Sequence, residues 1–228
     1  MLAINNLTFS YPGARSQFVL HDFALAKGEH VFIYGPSGSG KSTLLSLITG
    51  VQQHNSGSIS ILDTAFSNLS QKQKDRFRAN HIGYIFQQFN LIPFLSATEN
   101  VALGCEFSKI RTEKAITKYG SVEKGANTLL MALGLSEQNI AKPVNQLSIG
   151  QQQRVAAARA LLGEPELIIA DEPTSALDND AREEFINQLF EQANNNQTSI
   201  LFVSHDQTLA NLFDRQVALA SFMQEQTL

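Results

Sequence analysis

The stretch that decides the fold is Gly35-Pro36-Ser37-Gly38-Ser39-Gly40-Lys41-Ser42-Thr43. It matches the phosphate-loop pattern G-x-x-x-x-G-K-[ST], in which backbone N–H groups surround a polyphosphate. Lys41 supplies a positive charge for the β- and γ-phosphates, and the Ser42 hydroxyl is a suitable ligand for Mg²⁺. An accidental glycine–serine turn would lack the flanks found here, a predicted buried strand at residues 30–34 and a predicted helix at 42–48. Because anions favour helix N-termini, the sequence predicts a nucleotide-binding site.

Composition restricts the class of protein. The chain has 228 residues, enough for one large α/β domain, and its 43% apolar and 17% charged residues are typical of globular proteins. A formal charge of −4 argues against nucleic acid as the main partner. The single cysteine, Cys105, suits a reducing compartment. No signal peptide and no run of 18 apolar residues is present, so we expect a soluble, cytoplasmic protein.

Hydrophobic periodicity predicts alternating strands and helices. Residues 2–9 and 18–25 alternate as half-buried antiparallel strands do, and later strand patterns alternate with helices, as in right-handed βαβ units. The predicted strands lie at 2–9, 18–25, 30–34, 58–62 (after a turn at 56–57), 82–86, 167–170 and 199–203. The helical patterns lie at 42–48, 68–78, 96–141, 155–162 and 180–193. The predicted fold class is α/β: a P-loop NTPase core with a mostly parallel sheet, an N-terminal antiparallel β subdomain and an inserted helical subdomain.

Polar side chains follow three buried strands of the predicted sheet. Residues 167–170 run into Asp171 and Glu172, of which Asp171 suits a Mg²⁺ shell and Glu172 suits polarising the water that attacks a γ-phosphate. Gln87 and His205 end two further strands. Alone, an Asp-Glu pair is also a simple strand-end cap, and a lone histidine there is more often structural. Because a doubly wound sheet gathers its strand ends on one edge, their combination with the phosphate loop favours a catalytic site.

The segment Leu147-Ser148-Ile149-Gly150-Gln151-Gln152-Gln153-Arg154 has no role in a generic phosphate-loop protein. Ser148 is a good N-cap residue, and Gln151 stands at the reciprocal position of a capping box. The residues alone therefore predict a well-capped helix and nothing more.

Taken together, the motifs resemble the nucleotide-binding subunit of ATP-binding-cassette (ABC) transporters, and the resemblance runs from about residue 2 to 219. They occur in the family's order: Walker A (Gly35 to Thr43), the Q-loop (Gln87), the LSGGQ signature (Leu147 to Gln151), Walker B (Leu167 to Glu172), the D-loop (Ser175 to Asp178) and the H-loop (His205). The resemblance implies a single ABC ATPase domain over residues 1–228, with a helical subdomain at about 96–163 inserted in a RecA-like core.

The resemblance also implies the cofactors and the roles of individual residues. ATP and Mg²⁺ are the expected cofactors. Tyr11 is expected to stack on adenine, and the Walker A residues Gly35, Pro36, Ser37, Gly38, Ser39, Gly40, Lys41, Ser42 and Thr43 to hold the phosphates. The implied metal ligands are Ser42, Gln87 and Asp171, and the implied catalytic residues are Glu172, His205, Lys41 and Gln87. The signature residues Ser148, Gly150 and Gln151 are expected to contact the ATP of a partner subunit.

The implied partners are a second copy of the subunit and a membrane permease. In the family, two cassettes sandwich two ATP molecules head to tail, so we expect a homodimer. Residues 86–93 and 98–101 resemble the lipoprotein-release and macrolide-efflux branch, whose permeases have four membrane helices and a large extracytoplasmic part. We therefore expect a motor subunit on the cytoplasmic face, in contact with the membrane only through the permease and without nucleic acid. The alternative is a soluble ABC ATPase of DNA repair or translation, but this chain has one cassette and no heptad run.

Two departures from the family and one apolar segment raise further expectations. Ile149 replaces the first signature glycine, and we expect its side chain to pack at the dimer seam or under its own helix. The chain lacks a clear Asp-Gly hairpin after residues 215–219, and no strand is predicted after residue 203. Residues 89–98 are rich in apolar side chains, Phe89 and Phe94 among them, and are predicted to dock a permease helix. A buried hinge is the alternative for this segment.

Overall fold

The computed structural model describes residues 1–175 and 177–227, and the chain divides into two compact units. The first unit comprises Met1–Asp75 and Leu201–Leu228, and the second comprises Arg76–Ile200. The strands are β1 (Leu2–Phe9), β2 (Ser16–Leu20), β3 (Phe23–Leu25), β4 (His30–Tyr34), β5 (Ser56–Ile61), β6 (Ile82–Ile85), β7 (Leu167–Asp171), β8 (Ser199–Ser204), β9 (Arg215–Ala218) and β10 (Met223–Thr227). The helices are α1 (Lys41–Ile48), α2 (Gln71–His81), α3 (Ala97–Glu106), α4 (Lys109–Tyr119), α5 (Val122–Ala132), α6 (Glu137–Ile140), α7 (Ile149–Leu161) and α8 (Asn179–Asn194).

An antiparallel sheet in the first unit has the order β10–β2–β1–β3, with β5 also paired to β1. Buried residues alternate with more exposed ones in each half of β1 (Leu2 and Ile4, then Leu7 and Phe9), as the period-2 pattern predicts, and the phase shifts at Asn5 and Asn6. The strand predicted at residues 18–25 is interrupted at residues 21–22, and its two parts, β2 and β3, both pair antiparallel with β1. Between the two halves of β1, Asn6 has a φ of 42° and donates its N–H to Asp22 Oδ1 at 3.3 Å.

The start of β5 also differs from the prediction. Residues 56–57 were expected to form a turn before the strand, but β5 begins at Ser56 and includes Gly57. Gly57 has a φ of +88° beside a register shift in the pairing of β5 with β1. A β-carbon on Gly57 would lie 2.4 Å from Asn6 O. The glycine therefore marks a close approach of two strands inside a sheet.

The parallel strands of the first unit centre on β4. It pairs with β9 in parallel, and the Leu201–Ser204 part of β8 lies on its other side. Phe32 of β4 packs against Phe202 and Phe213, with ring centroids 5.9 and 5.1 Å away. This buried strand leads directly into residues 35–43 and then α1, as predicted.

Neither β9 nor the C-terminal strand β10 was predicted. Strand β10 pairs antiparallel with β2 over five residues, from Met223↔Leu20 to Thr227↔Ser16. The N–H of His21 donates to Phe222 O at 2.7 Å just before this ladder. Three consecutive polar residues, 224–226, conceal the alternation that would identify an edge strand.

In the second unit, β6 and β7 form a parallel pair with Ile85 opposite Ala170. The helices α3, α4, α5 and α7 pack on one another, and α7 buries an apolar face of valine and alanine side chains. Gly83 of β6 approaches α7 closely, because a β-carbon there would lie 2.4 Å from Ala160 O. The helical character predicted for 96–141 and 155–162 is confirmed, although α2 begins at Gln71 rather than at residue 68. The insertion of a separate helical subdomain at 96–163 stays a prediction.

A buried guanidinium closes the C-terminal end of α7. Arg111 of α4 donates to the carbonyl oxygens of Leu162 (2.8 Å from Nε), Ala160 (2.9 Å) and Arg159 (3.1 Å). Burial lowers the pKa of Arg111 to about 10, so the group keeps its charge at neutral pH. The last carbonyl groups of a helix accept no hydrogen bond from within that helix. Because Arg111 donates to them, it fixes the end of α7 to α4.

Within the described ranges, no helix combines the length and apolar character that a membrane crossing requires.

Candidate nucleotide-binding site

The N-terminus of α1 differs from those of five other helices. The helices α3, α4, α5, α7 and α8 each begin with a serine or aspartate whose side chain accepts a first-turn N–H. In contrast, the N-cap of α1 is Gly40. Among the described residues, no side chain caps this helix and no acidic residue stands in its first turn. The first N–H groups of a helix lack partners within it and carry partial positive charge. The start of α1 therefore fits an anionic ligand.

The loop before α1 holds its own lysine in place. Lys41 is 6% exposed, and its Nζ donates to the carbonyl oxygens of Gly35 and Pro36, each at 2.9 Å. Gly38 and Gly40 have φ of +78° and +97°, which glycine adopts without strain. The buried Ser39 Oγ has no hydrogen-bond partner among the described residues. An orphaned buried hydroxyl beside a lysine and uncapped N–H groups fits the polyphosphate predicted for this loop.

Tyr11 and His205 lie in the same unit as the loop. The Tyr11 ring is 43% exposed and packs edge-on against Phe9, with centroids 4.7 Å apart. Its hydroxyl forms a 3.0 Å hydrogen bond with Thr43 Oγ1 at the start of α1. The structure therefore brings Tyr11 to the phosphate-loop helix, and adenine stacking stays a prediction. His205 follows β8 and is exposed.

In the second unit, two of the predicted strand ends lie side by side. Because β6 and β7 are parallel with Ile85 opposite Ala170, Gln87 and the Asp171–Glu172 pair emerge at the same edge. Burial, and then the nearby Asp171, raise the pKa of Tyr84 on β6. Glu172 has a left-handed φ of 46°. Such strained backbone in a non-glycine residue is concentrated at functional sites.

The signature segment forms the predicted capping box. Gln151 N donates to Ser148 Oγ at 3.3 Å, and Ser148 N donates to Gln151 Oε1 at 3.0 Å. Gly150 faces Leu177, and a β-carbon on it would lie 3.2 Å from Leu177 Cδ2. The Ile149 side chain is 56% exposed, so the idea that it packs under its own helix is wrong. Packing at a dimer seam stays a prediction. The predicted D-loop includes Ala176, which lies outside the described residues.

Arg159 is a residue that the sequence motifs did not indicate. Its guanidinium, on α7, donates to Asn90 O at 2.7 Å and also to Phe89 O. Phe89 and Asn90 both have left-handed backbone, with φ of 58° and 49°. An arginine within an alanine-rich apolar helix was the available signal, because a buried arginine there must find acceptors. Arg159 thus ties the signature helix to the segment after Gln87.

A comparison with family models identifies the class. The model described as "ABC transporter" matches residues 21–175, more than half of the chain. The chain therefore belongs to the ABC transporter family. Its α/β fold and its phosphate loop are those that the family resemblance predicted.

Relatives and solved structures refine this assignment. The chain is 39% identical over 198 residues to the lipoprotein-releasing system ATP-binding protein LolD of Hydrogenovibrio crunogenus, covering 87% of this chain and 83% of that protein. It is 38% identical over 200 residues to the uncharacterized ABC transporter ATP-binding protein YbbA of Escherichia coli K12, covering 88% and 84%. The dimeric post-hydrolysis structure of the ATP-binding cassette MJ0796 bound to ADP and Pi matches with a TM-score of 0.81 and 34% identity, covering 100% and 99%. The chain is an ATP-binding, ATP-hydrolysing cassette of this family.

Proposed function

We propose that this chain is the ATP-driven motor subunit of a transporter or mechanotransmission complex of the lipoprotein-release type. The observation that carries the proposal is the start of α1, which lacks a side-chain cap and follows a loop with an orphaned buried hydroxyl. Two such subunits work beneath a permease with four membrane helices and a large extracytoplasmic part. The subunit then lies on the cytoplasmic face of the membrane and reaches the bilayer only through that permease.

The residues present fit nucleotide chemistry. Lys41 and the first-turn N–H groups of α1 bind the phosphates, and Tyr11 offers an exposed aromatic face to the base. Ser42, Gln87 and Asp171 are the residues proposed to hold Mg²⁺, which would supply positive charge to offset that of the phosphates. The exposed Ser42 hydroxyl on the first turn of α1 supports that assignment.

The catalytic roles follow from the chemistry of the remaining side chains. Glu172 accepts a proton from the attacking water, and its left-handed backbone is of the kind found at functional sites. His205 donates a hydrogen bond to the γ-phosphate as negative charge develops there. Ser148, Gly150 and Gln151 complete the site of the partner subunit. The exposure of Ile149 supports this role, because it shows that the start of α7 is accessible to a partner.

The second unit contains a physical link between the signature helix and the segment after Gln87. Arg159 holds the carbonyls of Phe89 and Asn90, and Arg111 anchors the same helix at its C-terminal end. A displacement of residues 89–98 is therefore transmitted to α7 through hydrogen bonds to charged groups, which are stronger than neutral ones. This link suits a motor whose output is motion.

We assign the permease contact to residues 89–98 and the cleft beside them. Phe89 itself is 8% exposed, so it does not form part of the docking surface, whereas Phe94 is 76% exposed. The adjoining cleft of about 710 Å³ is lined by apolar side chains that include Met131 and Ile140. It is also lined by three exposed glutamates, one in the first turn of each of three helices: Glu99, Glu123 and Glu137. This combination of apolar and acidic groups fits a short amphipathic helix with basic residues.

Replacing Phe94 with aspartate is expected to remove most of the stimulation of ATPase activity by the permease and to leave basal activity unchanged. The exposed ring loses its apolar contact, and the new carboxylate adds to an acidic surface that a basic helix must approach. ATPase assays with and without permease in vesicles measure the effect. Phe107→Asp is the matched control, because Phe107 is 81% exposed outside residues 89–98. Equal stimulation of wild type and Phe94→Asp would contradict the docking assignment.

The proposed function as a whole is tested by the dependence of activity on protein concentration. Because the site of each subunit is completed by its partner, the ATPase rate per subunit is expected to rise with concentration and then level off. Co-purification from membranes is expected to recover a permease. A rate per subunit that stays constant on dilution, or recovery with nucleic acid instead of a membrane protein, would contradict the proposal.

A further inference from the structure

The C-terminal strand reaches the phosphate loop. A β-carbon placed on Gly40 would lie 2.8 Å from Met223 Cε and 3.2 Å from Phe18 Cε1. Met223 is the first residue of β10 and is only 4% exposed. The methyl group of Met223 and the ring edge of Phe18 therefore pack against Gly40, the N-cap residue of α1.

Phe18 and Met223 lie on strands β2 and β10, which pair with each other. Phe18 lies in the middle of β2, opposite Glu225 of β10, and Met223 lies opposite Leu20. On its other side, β2 pairs with β1, where Phe18 is opposite Phe9. The positions of Met223 and Phe18 are thus fixed by two hydrogen-bonded ladders, independently of the phosphate loop.

Gly40 occupies the conformation that most affects the site. Its φ of +97° turns the chain from the loop into α1, and the N–H groups of the residues after it form the first turn of that helix. A rotation about Gly40 would redirect those N–H groups and displace the Lys41 ammonium. Glycine restricts such rotation less than any other residue, so the restriction must come from its neighbours.

We propose that Met223 is a positioning residue of the nucleotide site: through its contact with Gly40 it holds the start of α1 in the orientation that receives phosphate. The inference rests on the proposed ATP binding at this loop. Met223 acts through Gly40 and does not itself touch substrate. A displacement of about 1 Å at a binding group costs as much as 10²-fold in function, so a missing methyl group here has a measurable effect.

The test compares three variants of the whole chain by their dissociation constant for a fluorescent ATP analogue and by their KM and kcat for ATP. Met223→Ala is expected to raise the dissociation constant and KM by about 10-fold or more, with kcat at saturating ATP within about twofold of wild type. Met223→Leu restores most of the side-chain volume and is expected to recover most of the affinity. Gln224→Ala, at the exposed next position of β10, is expected to behave as wild type.

Three results would overturn the inference. One is an unchanged dissociation constant in Met223→Ala. Another is a loss of kcat with KM unchanged, and the third is equal weakening in Met223→Leu. If Met223→Ala does not fold, Met223→Val takes its place, because valine suits a strand and still lacks the terminal methyl group. Wild-type protein that fails to bind the analogue would contradict the proposed function instead, and so the two failures are distinguishable.

Discussion

Replacing Glu172 with glutamine is expected to lower ATP turnover by about 10²–10⁴-fold, the usual contribution of a general base, while ATP binding is retained. Glutamine has the same shape as glutamate, so it keeps the side-chain volume at this left-handed position, with its φ of 46°. What it loses is the ability to accept a proton from water. Bound ATP then persists, and the variant accumulates as a nucleotide-bound dimer.

Steady-state ATPase assays and size-exclusion chromatography with ATP measure the two effects. Glu183→Gln is a suitable control, since Glu183 is an exposed carboxylate on α8 in the same unit. A Glu172→Gln protein that stays monomeric with ATP, or that hydrolyses ATP at the wild-type rate, would show that another group is the base.

The second large effect is expected in Arg111→Met, a substitution that keeps an apolar side chain of similar length but removes the guanidinium. It leaves the buried carbonyls of Arg159, Ala160 and Leu162 without their charged donor. Hydrogen bonds to charged groups contribute about 1.5–3 kcal/mol each, and unpaired buried acceptors are costly. We expect a loss of about 3 kcal/mol, or a melting temperature lower by about 6–12 °C for a chain of this size.

Thermal unfolding followed by circular dichroism measures this change. Lys109→Met is the matched control, because Lys109 lies on the same helix and is exposed. A melting temperature within 1–2 °C of wild type, roughly the effect of an ordinary surface substitution, would mean that other donors satisfy these carbonyls.

Local patterns predicted the parts of the fold whose causes are local. The buried strand before residue 35, the helix after it and the capping box at Ser148 and Gln151 depend on residues within a few positions of one another. The break between β2 and β3, the glycine inside β5 and the strand β10 depend on pairing with β1 or β2, far along the chain. Single-sequence periodicity has no access to such pairing.

The candidate site divides in the same way. The loop around Lys41 and the Asp171–Glu172 strand end are contiguous motifs, so the sequence displays them directly. Arg159 and Met223 act on backbone far from them in sequence: Arg159 binds carbonyls 69 and 70 positions away. Their importance lies in where the fold places them, and no spacing rule encodes it.

The lysine of the phosphate loop has a thermodynamic consequence for ligand entry. Because Lys41 Nζ already binds two carbonyl oxygens of its own loop, an arriving phosphate exchanges one set of polar contacts for another. The net enthalpy from this side chain is therefore smaller than a new ion pair would suggest. In return, the side chain is ordered in advance, so little conformational entropy is lost on binding. Lys41 therefore contributes to nucleotide binding through preorganisation more than through new contacts.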